Sequence, residues 1–265
     1  MIDSRFFEML KILRSLELKR TLELMRHEKP QAGRLLEIGA GTGEQVKKLS
    51  DEGYSVEAID MQESDYLEHR IWPVLDYDGE HIPFPDAAFD VVFSSNVLEH
   101  IPHVIEFQKE IHRVLKPNGI AVHLLPTGTC RFWTNITYYL FWTGLVFKRI
   151  FSRLFRIKAE KNQSPDENSA NTVSKRLGIR AVLRRLIPPR HGEFGNTLTE
   201  IYYFSKIRWV KLFQRAGWEI KKYSTSKLFY SQHLIFGPAI SLKTRTNLSF
   251  LLGSSCHVFI MTKSK

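Results

Sequence analysis

The sequence predicts an α/β protein built on a doubly wound, mostly parallel sheet of seven strands. Three observations predict it. Between residues 34 and 126, short apolar runs alternate with amphipathic stretches, the pattern of strands buried on both faces and the helices that cover them. Three glycines, Gly39, Gly41 and Gly43, stand directly behind the first run, where backbone can come very close to a ligand. Two further strand-like runs near the end follow one another with no helix read between them, which suggests an antiparallel hairpin at the sheet edge.

Each element has its own reason. Residues 3 to 28 carry Leu, Ile and Phe at helical spacing and then reach Pro30, so a leading helix is expected. RLLEI (34–38) reads as the first strand and GEQVKKLSDEGY (43–54) as a helix ending near Gly53. SVEAID (55–60) is the second strand, and IWPVLDYD (71–78) a third that Pro73 demotes toward an edge. FDVVFSS (89–95) is the fourth strand. HVIEFQKEIHRVLK (103–116) is an amphipathic helix stopped by Pro117 and Gly119, and IAVHLLP (120–126) is the fifth strand. After Pro126 the pattern breaks. Residues 132–157 are apolar and basic, 158–176 read as a polar flexible linker, and 177–187 are amphipathic again. Order returns with a helix at SKIRWVKLFQRAG (205–217) and strands at WEIKKYSTS (218–226) and CHVFIMTK (256–263).

With 265 residues, 43% apolar and 25% charged, the composition is that of an ordinary globular chain and excludes a disordered or fibrous class. Cys130 and Cys256 are too few for a disulfide framework, and the N-terminal stretch lacks the uninterrupted apolar core of a signal peptide, so a cytoplasmic location is expected. The net charge of +10 is localised. Residues 131–190 hold thirteen Lys and Arg against three acids, and the rest of the chain is neutral. The basicity belongs to one inserted region.

The glycine loop decides among ligands. A dinucleotide site wants G-x-G-x-x-G, and a P-loop wants Gly-Lys-Ser/Thr; here the spacing is G-x-G-x-G followed by Glu44. Glu37 stands just before the loop. A carboxylate repels a phosphate but favours an ammonium or a sulfonium.

This combination resembles the class I S-adenosylmethionine-dependent methyltransferase family, of the small-molecule type. Its first motif, E/D-x-G-x-G-x-G, is matched by Glu37 to Gly43; DGEHIPFPDAAFD, VVFSSNVLEHI and EIHRVLKPNGIAVHLLP match later motifs in order. The likeness runs over roughly residues 33–126, with weaker agreement at 200–225 and 255–263. It implies a Rossmann-like fold and S-adenosylmethionine as cofactor, held against Glu37, Gly39, Ala40, Gly41 and Gly43. It also implies that Asp60, with Met61 beside it, holds the ribose hydroxyls, and that Asp78 with Gly79 lies near the adenine amino group. Ser95 and Asn96, with Leu98, either line the pocket or only end a strand; Asp60 could instead cap a helix, and Asp76 could take the place of Asp78. The division of the chain that follows is an N-terminal helix (1–30), the cofactor-binding half (31–126), a basic helical insertion or lid (127–200) and a C-terminal part (201–265). No metal is expected.

An oxygen or nitrogen acceptor needs a base, and histidine suits neutral pH. His191 and His100 are the candidates, with His103, His123 and Glu193 weighed beside them. The insertion holds FWTNITYYLFWTGLVF (132–147), sixteen uncharged residues, short of the ~20 that a spanning helix needs. VFKRIFSRLFRIK (146–158) and LGIRAVLRRLIPPR (177–190) pair apolar faces with Lys148, Arg149, Arg153, Arg184 and Arg185, the character of an interfacial helix. A lid packed on the catalytic domain, an anionic membrane surface met through 145–157 and 177–187, and RNA are the three readings of it. The expected function is methylation of oxygen or nitrogen on a small-molecule or lipid-linked metabolite in the cytoplasm or at the membrane periphery. The alternatives are a tRNA or other RNA methyltransferase and a non-catalytic cofactor-binding module.

Overall fold

The computed structural model describes residues 4–29, 31, 33–64, 67–140, 143–144, 187–231 and 239–264. The linker at 158–176, the basic helix at 145–157 and most of the stretch at 177–187 therefore lie outside the described residues.

The leading helix is α1 (Ser4–Glu28). Then follow β1 (Arg34–Ile38), α2 (Glu44–Asp51), β2 (Ser55–Met61) and β3 (Leu75–Tyr77). Next are β4 (Phe89–Ser95), a 3-10 turn (Leu98–His100), α3 (Val104–Val114) and β5 (Leu115–Pro126). A helical stretch over 128–140, here α4, leads into the insertion. Beyond it stand a one-turn helix (Glu200–Tyr203), α5 (Lys206–Arg215), β6 (Trp218–Thr225), α6 (Leu242–Leu252) and β7 (Cys256–Lys263).

The seven strands form one sheet in the order β3-β2-β1-β4-β5-β7-β6. The first five are parallel, and β7 pairs antiparallel with both β5 and β6. β3 is short and at the edge, as Pro73 suggested. The antiparallel pairing of the last two strands stands, but the connection is not bare, because α6 lies between them. Its apolar residues do not gather on one face: Arg245 and Ser249 are buried while Phe250 and Leu251 are exposed, so no helical periodicity marks it.

Alternation along the strands sends side chains to two cores. Leu36, Ile38 and Val92 meet α3 and α5 through Phe107, Ile111, Trp209 and Phe213. Leu35, Val91 and Phe93 face the other way and meet Leu18, Leu22 and Met25 of α1. Trp218 is anchored by its indole N–H, which donates to Gln108 Oε1 at 2.7 Å. No helix among the described residues is long and apolar enough to cross a membrane.

Candidate functional site

In this strand order β1 is followed by β2 on one side and flanked by β4 on the other, so a crevice opens beyond the carboxyl ends of β1 and β4. Two turns line it. Out of β1, Gly39, Gly41 and Gly43 all take left-handed φ, at 71°, 55° and 80°. The amides of Gly39 and Ala40 both donate to Ile59 O, at 2.8 and 3.1 Å, which ties the turn to β2. A Cβ on Gly39 would stand 2.3 Å from Val97 Cγ2, and one on Gly43 2.6 Å from Trp72 Cβ. Out of β4, Asn96 has φ 57°, a conformation asparagine tolerates better than most residues. Its amide donates to Leu124 O at 2.9 Å and its Nδ2 to Ser95 Oγ at 3.1 Å.

Acids surround the turn. Glu37 is buried on β1, with Oε2 unpartnered among the described residues. Burial, and Asp60 nearby, push its carboxyl well above the usual carboxylate range. Asp60 ends β2 and binds the glycine turn rather than capping a helix: Oδ2 accepts from the Gly41 amide (2.9 Å) and Ser64 Oγ (3.0 Å), Oδ1 from the Met61 amide (2.8 Å). Met61 is half exposed, its thioether 3.7 Å from where a Cβ on Gly79 would sit. Asp78 is exposed and accepts from the amides of His81 (2.7 Å) and Glu80 (2.8 Å) and from the His81 ring (2.9 Å). Those bonds, the His81 amide foremost, hold its carboxyl at about 2. Asp76, the alternative, is engaged by Arg70 at 2.7 Å.

A second cluster follows two residues beyond Val97. Glu99 is 2% exposed, and neither of its carboxylate oxygens has a hydrogen-bond partner among the described residues. His100 Nε2 and His191 Nε2 each lie 3.9 Å from Glu99 Oε1, and the two rings meet edge to face with centroids 4.9 Å apart. The structure thus brings the two candidate histidines together. Burial pushes the Glu99 carboxyl up to about 8, His191 down to about 4, and His100 down as well. His191 is held by its backbone: its amide and that of Gly192 both donate to Glu200 Oε1 at 2.7 Å. Glu200 is in turn ion-paired with Arg131 of α4, 2.7 Å away and equally buried. The Glu193 amide donates to Glu99 O at 2.8 Å, and a Cβ on Gly192 would come within 2.9 Å of that same oxygen.

The other candidates fall elsewhere. His123 is fully buried in β5, its Nδ1 2.7 Å from Ser94 Oγ and its ring stacked on Phe213; burial takes it down to about 3, and it is packed core. His103 is exposed at the start of α3. The Glu193 side chain lies 3.7 Å from Arg190, and its charge acts on His100. Sequence reasoning missed Glu99, Glu200, Arg131 and Trp72. Only Glu99 gave a signal, as an acid flanked by apolar Val97, Leu98 and Ile101.

A doubly wound sheet with a glycine turn and an acid-ended second strand at its switch point defines an α/β protein of Rossmann-like type. Residues 36–123 match the methyltransferase domain family. Among curated proteins, the biotin biosynthesis bifunctional protein BioHC of Cellvibrio japonicus is 33% identical over 117 residues, 40% of this chain and 23% of that protein. An uncharacterized methyltransferase of Mycobacterium leprae is 34% identical over 110 residues, 38% of this chain and 40% of that protein. The chain thus matches well under half the length of these relatives. Among solved structures, an S-adenosylmethionine-dependent methyltransferase fold from Listeria monocytogenes superposes with a TM-score of 0.52 at 13% identity, covering 95% of this chain and 100% of that one. Residues 36–123 thus match a methyltransferase domain, and the chain shares the fold of solved S-adenosylmethionine-dependent methyltransferases.

Proposed function

We propose that this chain binds S-adenosylmethionine in the crevice between β1 and β4 and methylates oxygen or nitrogen on a small-molecule or lipid-linked metabolite. The observation that carries the reading is Glu37, a buried carboxylate with an unpartnered oxygen and Asp60 beside it, behind a turn of left-handed glycines. Two acids at such a turn fit a cationic nucleoside and would repel a phosphate. Gly39, Ala40, Gly41 and Gly43 let backbone approach it. Asp60 keeps about one free lone pair for a ribose hydroxyl beside Met61, since a carboxylate can accept about four hydrogen bonds and three are used. Asp78 and Gly79 stand at the purine end, and Ser95 and Asn96 on the β4 side.

Bound S-adenosylmethionine supplies a methyl group already activated on a sulfonium. The residues of the chain therefore work mainly by alignment, which can supply ~7–11 kcal/mol of the barrier. His191 and His100 are kept neutral, so each offers a lone pair to the acceptor's proton.

The lipid-linked part of the proposal is supported by the surface where the insertion begins. Phe132, Ile136, Tyr139 and Leu140 fall on one face of α4 and are all exposed. Trp133 Nε1 donates to Leu252 O at 3.0 Å, so α6 adjoins this face, and Phe250 and Leu251 there are 76% and 81% exposed. The basic segments at 145–157 and 177–187 follow in sequence, and each Lys or Arg near an anionic leaflet contributes ~1 kcal/mol. Peripheral contact with a membrane is the use that joins an apolar face to flanking arginines.

The test is transfer of labelled methyl from S-adenosylmethionine into fractionated lipid, polysaccharide, RNA and small-molecule pools. Label is expected in the lipid or small-molecule pool. Label confined to RNA would overturn the acceptor class, and cofactor binding with no labelled pool would favour a non-catalytic module.

A further inference from the structure

We propose that Glu99, His100 and His191 form a site for one divalent transition-metal ion, of the zinc type, at the carboxyl end of β4, and that the ion receives an oxygen acceptor. The acceptor half of this proposal rests on the methyltransferase reading; the metal half does not.

Geometry comes first. Each of the three side chains offers one ligand atom, and these atoms all lie within 4.8 Å of one another. Both imidazole Nε2 atoms stand 3.9 Å from Glu99 Oε1. Ligands about 2.1 Å from a tetrahedral ion sit about 3.4 Å apart, so small side-chain rotations suffice to close the set. Two neutral imidazoles and a carboxylate are the donor types such ions take.

Glu99 supplies the second observation. Its carboxylate is 2% exposed, and neither oxygen has a hydrogen-bond partner among the described residues. A buried carboxyl without a partner is costly, and a cation at this point offsets the cost. The protein cations that face the cluster do not fill the role. Arg14 of α1 pairs with Glu17 at 3.2 Å, and Arg131 of α4 pairs with Glu200 at 2.7 Å. The frame around the ligands is fixed: Glu200 holds the backbone of His191, and the Glu193 amide holds the carbonyl of Glu99. Such support is what a metal ligand requires from its surroundings.

Three protein ligands leave a fourth position open, the arrangement of a catalytic rather than a structural site. His100, with its side chain 48% exposed, marks the open side. An ion there binds oxygen and lowers the pKa of a hydroxyl. The acceptor class that uses this activation is an alcohol or phenol.

The full chain, stripped with chelator, is titrated with Zn2+ by calorimetry and with Co2+ by visible absorption. One ion per chain is expected, with a Co2+ d–d spectrum that is lost in Glu99→Gln and His191→Ala, and Zn2+ affinity at least tenfold weaker in each. Circular dichroism of both variants checks that they fold, and S-adenosylmethionine affinity, measured without metal, is expected to be unchanged in both. No uptake by the stripped wild type, or equal uptake by the folded variants, overturns the site. Metal uptake that depends on Glu99 and His191 supports it whether or not S-adenosylmethionine binds. Failure to bind S-adenosylmethionine counts against the methyltransferase reading alone.

Discussion

Gly39 carries two constraints at once. Its φ of 71° belongs to the left-handed region, and a Cβ would stand 2.3 Å from Val97 Cγ2. The first constraint costs an alanine roughly 1–3 kcal/mol, and the second adds overpacking of a similar size. Urea unfolding of Gly39→Ala is expected to show that loss. Adding Val97→Ala should return the overpacking part and leave the backbone part, so an unrescued double variant would contradict the geometry. Glu37 and Asp60 were legible in the sequence because a fixed spacing carries them: acid, glycine turn, and an acid at the end of the next strand. Glu99 was not read as a functional residue, because its chemistry depends on His191, ninety-two residues later. That proximity exists only once Gly192 lets the returning loop lie against the carbonyl of Glu99.

At the scale of elements, the Arg131–Glu200 pair joins α4 to the loop that presents His191. Both side chains are almost wholly buried, and Glu200 also satisfies two backbone amides. Breaking such a pair from one side costs about 3–5 kcal/mol, because it strands a buried charge. Glu200→Ala is therefore expected to lower stability by that order, read by denaturant unfolding. Arg131→Met combined with Glu200→Ala should recover part but not all of it, since the amides of His191 and Gly192 stay unpaired. Neutral behaviour of Glu200→Ala would show that the pair is not formed in solution. Helices with one apolar face, such as α3 and α5, were legible from their spacing. α6 was not, because it buries Arg245 and Ser249 and exposes Phe250 and Leu251.

For the whole molecule, the number of strands and the parallel run of the first five were legible from alternating apolar and amphipathic segments. The place of β7 inside the sheet was not read, although Cys256 to Met261 are all buried, as a continuous apolar strand should be. β6 shows the opposite character, with Glu219, Lys221 and Lys222 exposed at the edge, where lysines discourage pairing with another chain. The site lies where the winding direction of the sheet reverses, so the sheet order and the ligand make one claim. Calorimetric titration of the intact protein with S-adenosylmethionine tests that claim most directly. One molecule is expected to bind per chain, with affinity roughly ten- to a hundredfold lower in Asp60→Ala, the loss of about 1.5–3 kcal/mol for hydrogen bonds to a charged group. No binding is expected in Gly41→Arg, whose glycine has φ 55° and donates its amide to Asp60. Absence of binding to the wild type, or undiminished binding to Gly41→Arg, would contradict the assignment of the crevice between β1 and β4.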